Sequence, residues 1–302
     1  MTWLLYLTTV LIWGTTWIAI AWQLGEVAVP VSVFYRFALA ASLLLTVLAL
    51  TGRLKRISGR DHGFCMLQGL CVFCLNFYLF YTATGYISSG LCSVVFSMAI
   101  LFNAINGVIF FRQPIRPRLL LANALGIVGM VSLFWRDLSA EQLNWDVLFG
   151  VGCALLGTYG FSLGNMLSAR HQKHGLDLLS TNAYAMSYGA WAMLMIAWLS
   201  GAEFSLDTSW QYLGSLFYLA VFGSVVAFGT YFALVGRIGA GQAAYATVLF
   251  PLVALTISTW FEGYQWSPSA LLGLLLILLG NVVMFWQPKQ KSAALAMSSS
   301  KA

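Results

Sequence analysis

Ten apolar runs, each about as long as a membrane-crossing helix, dominate this chain of 302 residues. A helix needs about 20 apolar residues to span the hydrocarbon core of a bilayer. The runs cover roughly 4–24, 30–51, 63–85, 89–111, 119–135, 147–169, 178–199, 211–236, 240–261 and 268–286. The breaks between them are short and hold most of the charged side chains. We therefore expect an all-α membrane protein with ten transmembrane helices.

The composition excludes most soluble classes of protein. Hydrophobic residues make up 60% of the chain and charged residues only 8%, whereas soluble domains carry about 25% charged residues. One soluble core could not bury so much apolar side chain, which argues against a cytosolic enzyme. The net charge of +6 is not gathered in one patch, so we expect no nucleic-acid partner.

Basic residues concentrate in alternate loops. With a cytoplasmic N-terminus, thirteen of the fifteen Lys and Arg residues fall in cytoplasmic loops or the tail: Arg53, Lys55, Arg56, Arg60, Arg112, Arg116, Arg118, Arg170, Lys173, Arg237, Lys289, Lys291 and Lys301. The opposite loops carry mostly Asp and Glu. Positive loops stay cytoplasmic during insertion, so we expect a bacterial-type inner-membrane protein with both termini inside. Residues 287–302 are predicted to be a disordered cytoplasmic tail.

The chain also repeats weakly, at an offset of about 150 residues. A Phe followed by a charged residue ends the fourth run at Phe111 and the ninth at Phe261, and Phe-Trp ends the fifth and tenth runs. Residues 1–136 and 147–286 would each form one five-helix repeat. Five is odd, so the second repeat would be inverted in the membrane. Inverted repeats place a substrate site at the interface between the halves.

Short motifs add a family resemblance. They are Ile-Trp-Gly-Thr-Thr-Trp at 12–17, Tyr-Arg-Phe at 35–37 and Gly-x-x-Gly at 126–129. With ten runs in two halves, these motifs resemble the EamA-type branch of the drug/metabolite transporter superfamily. The resemblance implies a ten-helix inner-membrane carrier, usually an exporter of amino acids or related metabolites. A Glu common after the fourth span of that family is Arg112 here, and only the second half keeps it, as Glu262.

Other classes of function remain as alternatives. A multidrug efflux transporter is one, although a buried carboxylate would be expected as counter-ion for cationic drugs. A receptor or channel is less favoured because the loops are short. We expect no enzyme activity, cofactor or metal, and interpret Cys71-x-x-Cys74 as packed cysteine without a second ligand pair. The expected partners are a small-molecule substrate and the bilayer, with the chain a monomer or weak homodimer.

Arg36 is the only charged residue clearly inside an apolar run. Intramembrane charges are costly and usually functional. Arg36 either reaches outward or pairs with Glu26 to fix its helix, or it binds a substrate carboxylate. Asp, Glu and His are absent from the middle of every run, so we expect transport without obligatory proton coupling.

Polar and aromatic residues inside the runs complete the predicted substrate site, although each could instead serve packing. Trp13 and Trp17 share one helix face, and the repeat puts Tyr159 at the matching place in the second half. The sequence thus predicts two aromatic walls facing each other. Pro251 is either a bending point or substrate contact, or a static kink. The predicted site comprises Trp13, Thr16, Trp17, Arg36, Asn76, Phe77, Tyr81, Ser97, Tyr159, Tyr231, Tyr245 and Pro251.

Overall fold

The computed structural model describes residues 2–112, 117–135, 144–243 and 246–285. Over these ranges the chain forms ten membrane-length or near-membrane-length helices and no strand, which confirms the predicted all-α class. The helices are α1 (Thr2–Ala21), α2 (Val29–Leu50), α3 (Gly59–Thr84), α4 (Ser89–Phe111), α5 (Pro117–Leu133), α6 (Trp145–Lys173), α7 (Leu178–Leu199), α8 (Trp210–Ala240), α9 (Ala246–Phe261) and α10 (Pro268–Phe285).

Length and hydropathy make this a multi-pass membrane protein. Six helices, α1, α2, α3, α4, α6 and α8, are each long and apolar enough to cross a bilayer, and α5, α9 and α10 contain shorter apolar stretches. Helix α7 has 22 residues but is more polar. Its polar side chains Ser180, Thr181 and Asn182 are buried among neighbouring helices, so they do not face lipid.

Local sequence signals set several helix starts. The Ser58 hydroxyl accepts a hydrogen bond from the Asp61 amide at the start of α3. Asp177 plays the same role for the Ser180 amide at the start of α7. Side chains of this kind satisfy amides that have no partner within the helix. The predicted breaks between apolar runs therefore coincide with physical helix caps.

Contacts between helix ends fall at two ends of the bundle. We call one the basic end, where Asp61 of α3 contacts Arg170 of α6. The other is the acidic end, where Trp22 packs edge-on against Phe261. The end that faces the cytoplasm stays a prediction from the charge distribution.

Two helices contain π-helical segments. Gly69–Asn76 in α3 and Leu219–Val226 in α8 are eight residues each and begin 150 residues apart. This separation equals the offset of the predicted repeat. A π-helical turn bulges the helix and is often found at functional sites. The first segment packs mainly against α6 and α7, whereas the second packs mainly against α1 and α2.

The remaining packing places α5 and α10 side by side, and α2 beside α7. Gly129 of α5 lies against Gly273 of α10: a Cβ on Gly129 would be 2.8 Å from the Gly273 carbonyl oxygen. The two backbones are therefore in direct contact, which explains the second glycine of the Gly-x-x-Gly motif. Helices α1, α2, α3, α4, α6, α8 and α9 surround the central core.

Candidate functional site

A cavity lies at the centre of the bundle. Its lining combines one charged side chain, four polar or indole-bearing side chains, one isoleucine and six phenylalanines: Trp13, Thr16, Trp17, Ile20, Arg36, Asn76, Phe77, Phe80, Phe96, Phe161, Phe228 and Phe250. The cavity volume is only about 30 Å³, which is enough for a water molecule or two. In this state the cavity is therefore closed to a metabolite, which could enter only after side chains or helices move.

Aromatic rings form most of the cavity wall. The Trp13 ring lies 5.0 Å from Phe228 and 5.9 Å from Phe161, both edge-on. The Trp17 ring lies 5.1 Å from Phe80 and 5.7 Å from Phe96, also edge-on. Edge-to-face contacts are favourable because the positive ring edge meets the negative ring face. The two tryptophans thus form part of a continuous aromatic surface, with phenyl rings from α3, α4, α6 and α8.

Polar atoms on this wall are left without partners. The Trp17 indole Nε1 and the Asn76 Oδ1 are buried and make no hydrogen bond within the described part of the chain. Thr16 instead donates its hydroxyl to the Trp13 carbonyl oxygen, 3.0 Å away. A buried polar atom without a partner is costly. Trp17 and Asn76 are therefore the neutral groups most available to a bound molecule.

Arg36 is the charged group of the cavity, and it is only 1% exposed. Its Nε donates to the Ser224 hydroxyl at 3.0 Å, and its Nη1 donates to the Tyr81 hydroxyl at 3.5 Å. Tyr81 in turn donates to Gln23 Oε1 at 2.6 Å. The guanidinium carbon lies 4.2 Å from the centre of the Phe77 ring. Arg36 is thus held in place by neutral groups and by an aromatic face.

The interpretation that Arg36 reaches outward or pairs with Glu26 is wrong. Glu26 is exposed, and the ion pair found among the described residues joins Arg170 to Asp61 instead. Arg36 is too deeply buried to reach water at the end of α2. The structure leaves the other interpretation, a ligand for a substrate carboxylate, as a proposal.

Tyr159 does not reach the cavity, contrary to the predicted pair of walls. It is 38% exposed and packs on Phe102, with ring centres 5.5 Å apart. Two residues later, Phe161 is 1% exposed and lines the cavity. Successive helix residues are rotated by about 100°, so residues 159 and 161 point in nearly opposite directions. Phe161 therefore takes the place in the wall that the repeat assigned to Tyr159.

Other predicted residues lie near the cavity without lining it. Tyr231 packs on Trp13 at 4.9 Å, and its hydroxyl accepts a hydrogen bond from Asn165. The Ser97 hydroxyl donates to a carbonyl of its own helix, at a turn that interrupts α4. Pro251 is buried inside α9, next to the lining residue Phe250. Tyr245 lies outside the described residues.

Five phenylalanines and one isoleucine line the cavity but were not among the predicted site residues: Ile20, Phe80, Phe96, Phe161, Phe228 and Phe250. Phenylalanine is common on lipid-facing and inward-facing surfaces alike, so its presence gives no direction. Phe80 could have been predicted from helical spacing, because it lies four residues after Asn76 on the same helix face. The others required knowledge of how the helices are rotated.

Membrane carriers bind their substrates in cavities of this kind, deep between membrane-crossing helices, and the family of the chain agrees with that class of protein. The chain belongs to the EamA-like transporter family, whose model matches residues 1–135 and 148–286. The family resemblance seen in the motifs is therefore confirmed. Family members carry transporter names, which places this chain outside the enzymes.

Individual relatives agree with this assignment. The Uncharacterized transporter YoaV of Bacillus subtilis (strain 168) is 24% identical, over 91% of this chain and 93% of the relative. A Probable amino-acid metabolite efflux pump of Salmonella typhimurium (strain LT2) is 25% identical, over 64% of this chain and 66% of the relative. A solved crystal structure shares the fold, with a TM-score of 0.68 at 14% identity, over 99% of this chain and 98% of that one.

Proposed function

We propose that this protein is an inner-membrane carrier that exports amino acids or related small amphipathic metabolites by alternating access. The observation that carries the proposal is the central cavity, which is closed in this state and lined from both predicted halves of the chain. Aromatic walls suit an apolar side chain, while Arg36, Asn76 and Trp17 offer polar contacts. Two relatives named Probable amino-acid metabolite efflux pump support export as the direction.

The basic end carries a clamp between the predicted halves, which we call the basic-end clamp (Asp61, Phe64, Arg170). Arg170 Nη1 donates to Asp61 Oδ1 at 2.7 Å, and its guanidinium carbon lies 3.8 Å from the Phe64 ring centre. Asp61 and Phe64 belong to α3, whereas Arg170 belongs to α6. Opening the bundle at this end would separate these groups, so the clamp favours the closed state.

The acidic end carries a second clamp, the acidic-end clamp (Ser89, Glu262). Glu262, at the end of α9, accepts hydrogen bonds from the Ser89 amide at 3.1 Å and from the Ser89 hydroxyl at 2.6 Å. Charge-assisted hydrogen bonds of this kind are stronger than neutral ones. Both clamps are closed together in this state. Alternating access would open one clamp while the other stays closed.

The predicted halves, 1–136 and 147–286, fit this scheme as an inverted pair. The matching positions of the two π-helical segments support the repeat. Rocking of one half against the other is the usual motion of carriers built in this way. With both termini in the cytoplasm, the basic end would be the cytoplasmic end, where an exporter collects its substrate.

Counterflow in proteoliposomes tests the proposal directly. Purified protein is reconstituted into vesicles loaded with unlabelled amino acids, aromatic carboxylates or organic cations, and uptake of each labelled counterpart is measured. We expect exchange for at least one compound of the first two classes, above protein-free vesicles. Exchange of organic cations alone would favour multidrug efflux instead. Absence of exchange across the whole panel would overturn the carrier proposal.

A further inference from the structure

We propose that the central cavity selects organic monoanions, meaning a carboxylate on an apolar or aromatic body without an ammonium group. The proposal rests on the carrier function and narrows its substrate class. Amphipathic metabolites include two kinds of compound that the proposal distinguishes by their net charge. Amino acids are zwitterions, whereas oxo acids, aryl acids and N-acylated amino acids are net anions.

The charge of Arg36 has no counter-charge in the described structure. The guanidinium stays protonated in proteins, and the side chain is only 1% exposed. Its hydrogen-bond partners are the neutral hydroxyls of Ser224 and Tyr81. A lone buried charge is strongly unfavourable unless it is paired. The cavity therefore reaches electrical neutrality only when an anion binds.

The free donors of Arg36 suit a carboxylate. Among described residues its Nη2 donates to no side chain or carbonyl, and its Nη1 reaches only Tyr81, at the long distance of 3.5 Å. Guanidinium and carboxylate groups form paired parallel hydrogen bonds because their geometries match. Ser224, held by its own bond to the Leu219 carbonyl, fixes the Nε side of the group. The terminal nitrogens are thus oriented and available.

An ammonium group would find no negative partner in this cavity. Among the residues that the structure describes, the lining includes neither Asp nor Glu. Aromatic faces attract cations, but the Phe77 face nearest to Arg36 is already covered by its guanidinium. A bound zwitterion would leave one net positive charge at the site, whereas a monoanion would leave none. The neutral atoms Asn76 Oδ1 and Trp17 Nε1 can form hydrogen bonds to polar groups of a bound molecule, but they cannot neutralise its charge.

Four compounds with one phenyl body test this selectivity by charge. They are 3-phenylpropanoate, L-phenylalanine, 3-phenylpropanamide and 3-phenylpropylamine. Affinity for the full-length purified protein is measured by calorimetry and by the shift in melting temperature. We expect the propanoate to bind at least about tenfold more tightly than phenylalanine, and the amine not to bind detectably. Phenylalanine binding as tightly as the propanoate would overturn the proposal.

A variant that removes the charge of Arg36 tests whether this residue causes the preference for anions. In Arg36→Met, the propanoate should lose its advantage over the neutral amide, while amide affinity changes little. Arg60→Met removes the same charge from an exposed position and should keep the wild-type order. Loss of an unpaired buried charge should not lower the melting temperature of Arg36→Met. A variant that melts early yet keeps the wild-type order would show a purely structural Arg36.

Transport measurements distinguish a failure of the charge selectivity from a failure of the carrier function on which it rests. If amino acids exchange in counterflow while the anions neither bind nor exchange, the charge selectivity is wrong and the carrier function stands. If no compound exchanges, the carrier function itself fails. If chloride alone protects wild-type protein and displaces the propanoate, the site is one for inorganic anions and the carboxylate proposal fails.

Discussion

The Trp13 indole Nε1 donates a hydrogen bond to the main-chain carbonyl of Gly223, 3.2 Å away. Gly223 lies in the π-helical segment of α8, and a Cβ at this position would stand 2.9 Å from the Thr16 side chain. Helix α1 therefore contacts α8 twice: Trp13 forms a hydrogen bond to the Gly223 carbonyl, and the Thr16 side chain packs against the Gly223 backbone. Trp17, one turn further along α1, has no such bond for its own indole N–H.

This contrast predicts different roles for the two tryptophans. Trp13→Phe would leave the buried Gly223 carbonyl without its partner, at a cost of about 1–3 kcal/mol, so we expect a lower melting temperature. Trp17→Phe removes a donor that no described residue uses, so stability should hold while substrate affinity falls about fivefold. Trp191→Phe changes an exposed indole on α7 and should alter neither quantity. Equal losses of stability in the first two variants would contradict the distinction.

If each clamp holds one end of the bundle shut, breaking one clamp should expose only that end. Labelling of a buried cysteine near each clamp can measure this exposure. Cys65 lies one turn after Asp61, and Cys92 lies three residues after Ser89; both are fully buried. In a chain that keeps one of these thiols, Asp61→Asn should speed labelling of Cys65 by a membrane-impermeant maleimide. Glu262→Gln should speed labelling of Cys92. Asp61→Asn should leave the labelling rate of Cys92 unchanged, and Glu262→Gln should leave that of Cys65 unchanged, so each thiol is the control for the other clamp. If either substitution speeds the labelling of both thiols, alternating access is contradicted.

The charge distribution predicts that both termini are cytoplasmic. Thirteen of the fifteen basic residues would then lie in cytoplasmic loops or the tail. A reporter fused after Ala302 should be active only in its cytoplasmic form. A second fusion in the loop after α1, near Glu26, should be active only in its periplasmic form. Periplasmic activity at Ala302 would overturn the orientation and the assignment of the basic end to the cytoplasm.

Transport should proceed without obligatory proton coupling. Within the described part of the chain, the cavity is lined by no Asp, Glu or His, and carriers driven by protons generally need such a group in the pathway. Counterflow should therefore continue at equal internal and external pH, with a protonophore present. If exchange stops when the pH gradient is collapsed, a titratable group is required, and Glu262 in the acidic-end clamp would be the first to test.

The contact between α5 and α10 predicts a stability difference between two glycines. Gly129→Ala would place a methyl group 2.8 Å from the Gly273 carbonyl oxygen, so the helices must separate and the melting temperature should fall. Gly152→Ala, on α6, meets no atom within 4 Å, and alanine also favours the helix by about 1 kcal/mol. We expect that variant to melt at or above the wild-type temperature, measured with the same detergent and lipid.

Much of the architecture followed from the pattern of residues alone. Runs of about 20 apolar residues specify helices because a bilayer offers no water to unpaired backbone groups. The ten helices were predicted correctly on this basis, and the family was predicted correctly from the short motifs at 12–17, 35–37 and 126–129 together with the ten runs. The structure brings six of the predicted site residues into the lining of one cavity, namely Trp13, Thr16, Trp17, Arg36, Asn76 and Phe77. They were found because aromatic and polar residues in mid-span are unusual, and their role in binding a substrate stays a prediction.

The direction of each side chain was decided only by the tertiary structure. Tyr159 and Phe161 are both aromatic residues of α6, and nothing in their spacing shows that the first faces outward and the second lines the cavity. In a membrane, lipid and protein interior are both apolar, so hydropathy does not distinguish the two faces of a helix. The sequence alone determined that Arg36 lies inside the membrane. Only the packing of α2 against α3 and α8 decided that Arg36 is buried beside Tyr81 and Ser224, with no carboxylate partner among the described residues. The physical reason is that the neighbours of a buried side chain depend on which helices meet, and the sequence of one helix does not contain that information.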